Sequence, residues 1–82
     1  MSKPHHTRPL LELPQRLPAR ITRILDGPEV WQHLHAIGVH PGDCIEVLRK
    51  APFGGPIHIR CSGQDIALGR NLAMKILVEP QN

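Results

Sequence analysis

Residues 34–68, LHAIGVHPGDCIEVLRKAPFGGPIHIRCSGQDIAL, hold the pattern that decides the fold of this chain. Gly38 follows a helical repeat of apolar residues and can adopt the left-handed conformation that ends a helix. Pro41 followed by Gly42 has the residue order of a type II turn, after which apolar and polar residues alternate as in strands. The glycine- and proline-rich stretch 51–56 is typical of the tip of a β-hairpin. We therefore expect a helix end followed by tightly turned antiparallel strands.

The flanking sequence supplies the remaining elements. The run DGPE at 26–29 is a typical helix start, and apolar residues at helical spacing predict a helix over about 28–37. Ile21 and Ile24 lie three residues apart in a strand-like run, which indicates a bulge. A short helical turn is expected near 69–74. The predicted strands, in chain order, are 19–25, 44–50, 57–61, 64–68 and 75–79.

Five short strands in an 82-residue chain indicate a mainly β fold. The chain is too short for a two-sheet sandwich, so we expect the strands to curl into a small five-stranded barrel with one inserted helix. Residues 1–9 show no apolar periodicity and are predicted to be a mobile tail. Residues 10–80 are then expected to form a single domain.

Composition narrows the classes of partner. The net charge is +3, but the lysines and arginines are scattered, and Trp31 and Phe53 are the only aromatic residues of the sequence. Because binding of single-stranded nucleic acid usually needs several stacking aromatics, nucleic acid is not expected as a partner.

Trp31 is expected to seal the helix against the barrel, with partial exposure as the alternative. The chain lacks a membrane-spanning apolar run or a signal-peptide pattern, so we expect a cytoplasmic protein without membrane insertion.

The reactive side chains do not form a catalytic pattern. Alternation in the strands turns Cys44 outward and Cys61 inward, so we expect neither a disulfide nor a paired site, and no enzyme activity. Weak binding of a divalent transition metal could involve His35, His40, His58 and Cys44, since imidazole and thiolate suit such ions. No ligand spacing typical of a metal site is present, and no cofactor is expected.

The hairpin tip carries the features of a docking surface. Phe53 lies on a glycine-rich turn with Pro52 and Gly54, and Arg49 and Lys50 stand at the base of the turn. Aromatic residues and arginine are favoured at interface anchors, so we predict that these five residues contact a partner. The alternative is that Phe53 folds back onto the barrel.

Two segments at a defined separation resemble a known family. The first runs from the helix end through the type II turn, and the second is the hairpin tip with the start of the next strand. Their signature residues are Leu34, Ile37, Gly38, Pro41, Gly42, Pro52, Gly54 and Pro56. In this order they resemble the ferrous iron transport protein A family (FeoA-like), over roughly residues 10–79.

The resemblance implies an SH3-like barrel and a non-enzymatic role. Proteins of this family accompany a membrane ferrous iron transporter that carries a GTPase domain, so the implied partner is the cytosolic GTP-binding part of that transporter. The same type of domain forms the C-terminal part of some iron-dependent repressors. The alternative function is therefore a metal-binding regulatory module resembling that repressor domain.

Overall fold

The computed structural model describes residues 7–81. Its elements, in chain order, are β1 (Arg8–Pro9), a short 3-10 helix (Leu10–Glu12), β2 (Ala19–Ile24), α1 (Pro28–Ala36), β3 (Cys44–Lys50), β4 (Ile57–Cys61), β5 (Gln64–Leu68), α2 (Arg70–Ala73) and β6 (Ile76–Pro80). The helix predicted over 28–37 is α1, and the helical turn predicted near 69–74 is α2. The prediction of a mainly β fold with one inserted helix is confirmed.

The strands form one antiparallel sheet in the order β1-β6-β2-β3-β4-β5. The two ends of this order, β1 and β5, are not paired with each other within residues 7–81, so the curled sheet is open rather than a closed barrel. The bulge predicted in the first long strand is present, because the register of β2 against β6 shifts between Ile21 and Arg23. A second shift lies in β3 between Val47 and Arg49.

The structure corrects the predicted tail and the strand count. Residues 1–6 of that tail lie outside the described residues. Arg8 and Pro9 form β1 and pair with Val78 and Leu77 of β6, which makes a sixth strand. The prediction is wrong for these two residues, because so short a strand forms only through a partner that lies about 70 residues further along the chain.

The end of α1 has the geometry that the glycine predicts. Gly38 has a φ of 95°, and its amide donates to the carbonyl of His35 at 3.1 Å, while the amide of Val39 donates to the carbonyl of Leu34 at 2.9 Å. These two bonds define a Schellman motif, in which a left-handed residue satisfies the last carbonyls of the helix. Leu34 and Val39 are both fully buried, so the turn also folds the chain back onto the core.

Alternation places one face of the strands in the interior. In β4 the buried residues Ile57, Ile59 and Cys61 alternate with the exposed His58 and Arg60, as the sequence predicts. The core draws on every strand except β1, on the 3-10 helix and on both α-helices. Within residues 7–81 no polar or charged residue is buried, so the scaffold is an apolar core with all of its polar chemistry at or near the surface. The buried residues are Leu10, Leu13, Ala19, Ile21, Leu34, Val39, Ile45, Val47, Ile57, Ile59, Cys61, Leu68, Ala73, Ile76 and Val78.

Candidate functional site

The tip of the β3–β4 hairpin is a tight turn with two consecutive left-handed residues. The amide of Gly55 donates to the carbonyl of Pro52 at 3.1 Å, and Phe53 and Gly54 between them have φ values of 59° and 73°. Positive φ at both central positions defines a type I′ turn. Asn, Asp and Gly are the residues that usually occupy these positions, whereas this chain places phenylalanine at the first of them.

Phe53 is therefore both strained and fully exposed. Its accessible fraction is 104%, so the alternative in which the ring folds back onto the barrel is wrong. A left-handed conformation costs a residue with a β-carbon about 1–2 kcal/mol. Since the exposed ring gains no burial in return, the fold loses stability by having phenylalanine at this position.

Two long side chains, one from β3 and one from α2, hold the base of this turn against neighbouring elements. The ammonium of Lys50 donates to the carbonyl of Leu11 in the 3-10 helix at 2.7 Å, and the Nη2 of Arg70 donates to the carbonyl of Ala51 at 3.0 Å. Lys50, predicted as a partner contact, thus also braces the turn. The exposed side chain of Arg49 makes no hydrogen bond or ion pair within residues 7–81. The predicted docking residues consequently divide into a braced base and an exposed tip.

A second group of polar side chains lies where the type II turn enters β3. The carboxylate of Asp43 accepts from the backbone amide of His40 at 2.9 Å and lies 3.1 Å from Nδ1 of the same histidine. The Sγ of Cys61 lies 3.8 Å from that carboxylate. Burial, followed by the negative charge of Asp43, raises the pKa of the Cys61 thiol to about 11. A thiol in this environment stays protonated and is a poor nucleophile.

Aromatic rings extend this group along the exposed side of α1. The ring of Trp31 stacks on His35 with centroids 4.8 Å apart, and His35 meets His40 edge to face at 4.4 Å. Trp31 is 42% exposed, so the expectation that it seals the helix against the barrel is wrong. Trp31 stacks on His35, four residues further along the same helix, and Leu34 is the residue of α1 that is buried in the core.

The four metal candidates do not converge. His35 and His40 are in contact, whereas His58 lies on the exposed face of β4 and Cys44 is exposed at the start of β3. In the described part of the chain, no group of three or more His, Cys, Asp or Glu side chains is arranged to hold an ion. Cys44 is exposed and Cys61 is buried, as the alternation of the strands predicts.

A shallow groove of about 240 Å³ lies beside the start of β3. The Cys44 thiol and the Ser62 hydroxyl both line it, but no histidine is hydrogen-bonded to either group among residues 7–81. At its rim, Arg60 donates to Asp65 at 2.8 Å, which holds the pKa of that carboxyl below its usual value. The groove lining consists of Pro18, Cys44, Ile45, Glu46, Arg60, Ser62 and Gly63. An open groove without a base beside its thiol does not have the geometry of an activated nucleophile.

Comparison with known proteins places this geometry in a family. The FeoA domain model matches residues 8–80. The chain belongs to the FeoA domain family. The matched range begins at β1 and ends at the last residue of β6, so it covers the whole sheet of this FeoA domain. The resemblance in the two glycine- and proline-rich segments is thereby confirmed.

Relatives of this FeoA domain include an archaeal protein and solved structures. The putative Fe(2+) transport protein A of Methanocaldococcus jannaschii is 39% identical over 59 residues, which are 72% of this chain and 70% of that protein. A crystal structure of an iron uptake regulatory protein (FeoA) is 33% identical, with a TM-score of 0.84, and the match covers 93% of this chain and all of that one. The SH3-like fold is thus confirmed.

The same domain fold occurs in a larger regulator. A manganese-dependent transcriptional repressor in complex with manganese matches 98% of this chain at 26% identity and a TM-score of 0.83, but only 38% of the repressor is covered. Neither helix in the described part of this FeoA domain has both the length and the hydropathy to cross a membrane.

Proposed function

We propose that this protein is a non-enzymatic, cytoplasmic accessory of ferrous iron uptake. It docks on the cytosolic GTP-binding domain of the membrane ferrous iron transporter. The observation that carries this proposal is the FeoA family match over residues 8–80, together with a relative that is named as an Fe(2+) transport protein. Fe²⁺ is the cargo of the transporter in this proposal, and the accessory needs no cofactor of its own.

The architecture supports a role exercised through the surface. Within residues 7–81 a thin apolar core fills the interior of the sheet, which leaves the surface to act. The proposed contact surface is the hairpin tip, because it combines an exposed aromatic ring with basic side chains. Its residues are Arg49, Lys50, Pro52, Phe53 and Gly54. Nucleic acid and membrane are not partners in this proposal.

A pull-down tests the proposal directly. The full chain is immobilised and incubated with the soluble GTP-binding domain of the transporter from the same organism, in three parallel samples without nucleotide, with GDP and with a non-hydrolysable GTP analogue. We expect specific retention in at least one nucleotide state. A GTP-binding domain from an unrelated GTPase is the negative control. Absence of retention in every state would refute docking on this domain.

A second candidate is a metal-binding regulatory module. The contact between His35 and His40, with Asp43 hydrogen-bonded to His40, is the observation that favours it. The fold shared with the manganese-dependent repressor is consistent with it. Anaerobic calorimetry with Fe²⁺ separates the two candidates. Stoichiometric binding that is lost in His40→Ala would favour the metal-binding module, and the accessory role predicts no such binding.

A further inference from the structure

The conformation of Phe53 points to a function for the ring. A type I′ turn is most stable with Asn-Gly at its centre, and this chain has Phe-Gly there. Strained backbone conformations persist where the surrounding structure enforces them, and they cluster at functional sites. We infer that Phe53 is the anchor of the docking surface, and that it inserts into an apolar pocket of the protein partner whose rim is acidic. This inference rests on the proposed function, because it names how the docking is made.

The backbone of the turn that carries Phe53 is held in place before any partner arrives. A β-carbon at Gly55 would lie 2.9 Å from the β-carbon of Ala51, so the two arms of the loop pack closely. The amide of Ala51 also donates to the carbonyl of Pro56 at 3.0 Å. Together with the braces from Lys50 and Arg70, these contacts fix the tip. A fixed anchor loses less conformational entropy on binding than a mobile one, which raises affinity for a pocket of matching shape.

The charges around the hairpin base favour an acidic rim. Arg49 is exposed and unpaired among residues 7–81, and His58 lies opposite it in the β3–β4 ladder. Lys50 and Arg70 donate to backbone carbonyls, which leaves their positive charge uncompensated. Of the two elements that brace this base, the 3-10 helix carries one carboxylate, Glu12, and α2 (Arg70–Ala73) carries none. Complementary negative charge on the partner would therefore steer and orient the encounter.

A folded protein fits this surface better than a lipid bilayer does. Stable membrane anchoring generally takes two signals, such as one lipid chain with a polybasic patch. The tip offers a single ring, and of the cations at its base Lys50 and Arg70 are held on backbone carbonyls of the domain itself. A rigid, strained turn also brings no advantage against a fluid surface, whereas it does against a pocket of defined shape.

Phe53→Asn is the variant that decides the matter, because it affects stability and binding in opposite directions. Asparagine adopts the left-handed conformation at a lower cost than phenylalanine does, so the midpoint of thermal unfolding should rise by roughly 3–8 °C. Binding of the full chain to the transporter's soluble GTP-binding domain, measured by calorimetry, should weaken by roughly 30-fold or more, as for a central interface anchor. Because the variant is more stable, misfolding cannot explain lost binding.

Charge reversals provide a matched pair. Arg49→Glu at the base of the tip should weaken binding by about tenfold and reduce its dependence on salt, mainly through slower association. Arg23→Glu makes the same change in net charge in β2, beyond the point where β2 pairs with the start of β3 and so away from the hairpin tip, and should leave affinity unchanged. Equal effects of the two charge reversals on affinity would refute the inference that the rim of the partner's pocket is acidic.

The outcomes separate this inference from the proposed function. If the unmodified chain does not bind the domain, the proposed function fails and the inference fails with it. If the unmodified chain binds and Phe53→Asn binds equally well, the proposed function stands and the anchor is refuted. Retention of the chain by phosphatidylethanolamine–phosphatidylglycerol vesicles, lost in Phe53→Asn, would also overturn the inference, since the ring would then serve a membrane.

Discussion

Replacing Gly38 with alanine tests the argument that backbone conformation, rather than space, demands glycine at the end of α1. Gly38 has a φ of 95°, and a β-carbon built on it lies 3.2 Å from Oε1 of Gln64. The left-handed conformation costs alanine about 1–2 kcal/mol, and the lower entropy of the unfolded alanine chain offsets about 0.5 kcal/mol. The flexible end of Gln64 can move away, so the steric cost is small. We expect a net loss of about 1 kcal/mol, or roughly 4–8 °C in Tm.

Urea and thermal unfolding of five chains, the single variant Gln64→Ala among them, measure the two causes separately. Gly38→Asn carries the same β-carbon but adopts left-handed conformations more readily, so it should be more stable than Gly38→Ala. Combining Gly38→Ala with Gln64→Ala removes the steric neighbour and should recover less than about 0.3 kcal/mol beyond additivity. The reasoning would be refuted if the double variant regained full stability, or if asparagine were worse than alanine.

Four further outcomes concern the interior and the two thiols. Leu34→Ala removes a fully buried side chain at the helix end and should lower the free energy of unfolding by about 2–5 kcal/mol in urea titrations. The pKa of the Cys61 thiol is raised from 9.0 to about 11, so its contribution to stability is complete below pH 9 and falls by about 2–3 kcal/mol as the pH rises through 11. In urea titrations at increasing pH, the free energy of unfolding of Cys61→Ala should not show this fall at alkaline pH. Asp43→Asn should lower the pKa of that thiol in a thiolate absorbance titration without restoring the ordinary value, because burial is the larger cause. An alkylating reagent should modify the exposed Cys44 rapidly and the buried Cys61 only as the fold opens, and equal rates would contradict the burial.

The parts of the fold that depend on local backbone geometry could be predicted from the sequence. Gly38 ends the helix because its left-handed conformation is set within a few residues, and the strands around the hairpin follow from the alternation of apolar side chains. The strand at Arg8–Pro9 could not be predicted in this way. Its pairing depends on β6, and two residues carry no periodicity of their own.

The candidate site could be predicted in composition but not in conformation. The residues of the tip can be recognised in the sequence. The same sequence is compatible with an exposed and with a folded-back Phe53, because turn type and tertiary packing determine which of the two forms. The contact of Asp43 with Cys61 joins the type II turn to the end of β4, so no spacing rule indicates it. Likewise, the brace from Arg70 to the hairpin joins residues 19 positions apart and has no sequence signature.

The position of β6 between β1 and β2 affects how the chain folds during its synthesis on the ribosome. During synthesis, β3, β4 and β5 can pair with one another as soon as they emerge from the ribosome, since each is joined to the next by a short turn. Among the described strands β1 pairs with β6 alone, so it must wait until β6 is made, and β2 can pair with β3 but still lacks β6 on its other side. Until residues 76–80 are free, Ile21 and Leu10 lack the strand beside them, and the nascent chain exposes apolar surface that chaperones recognise.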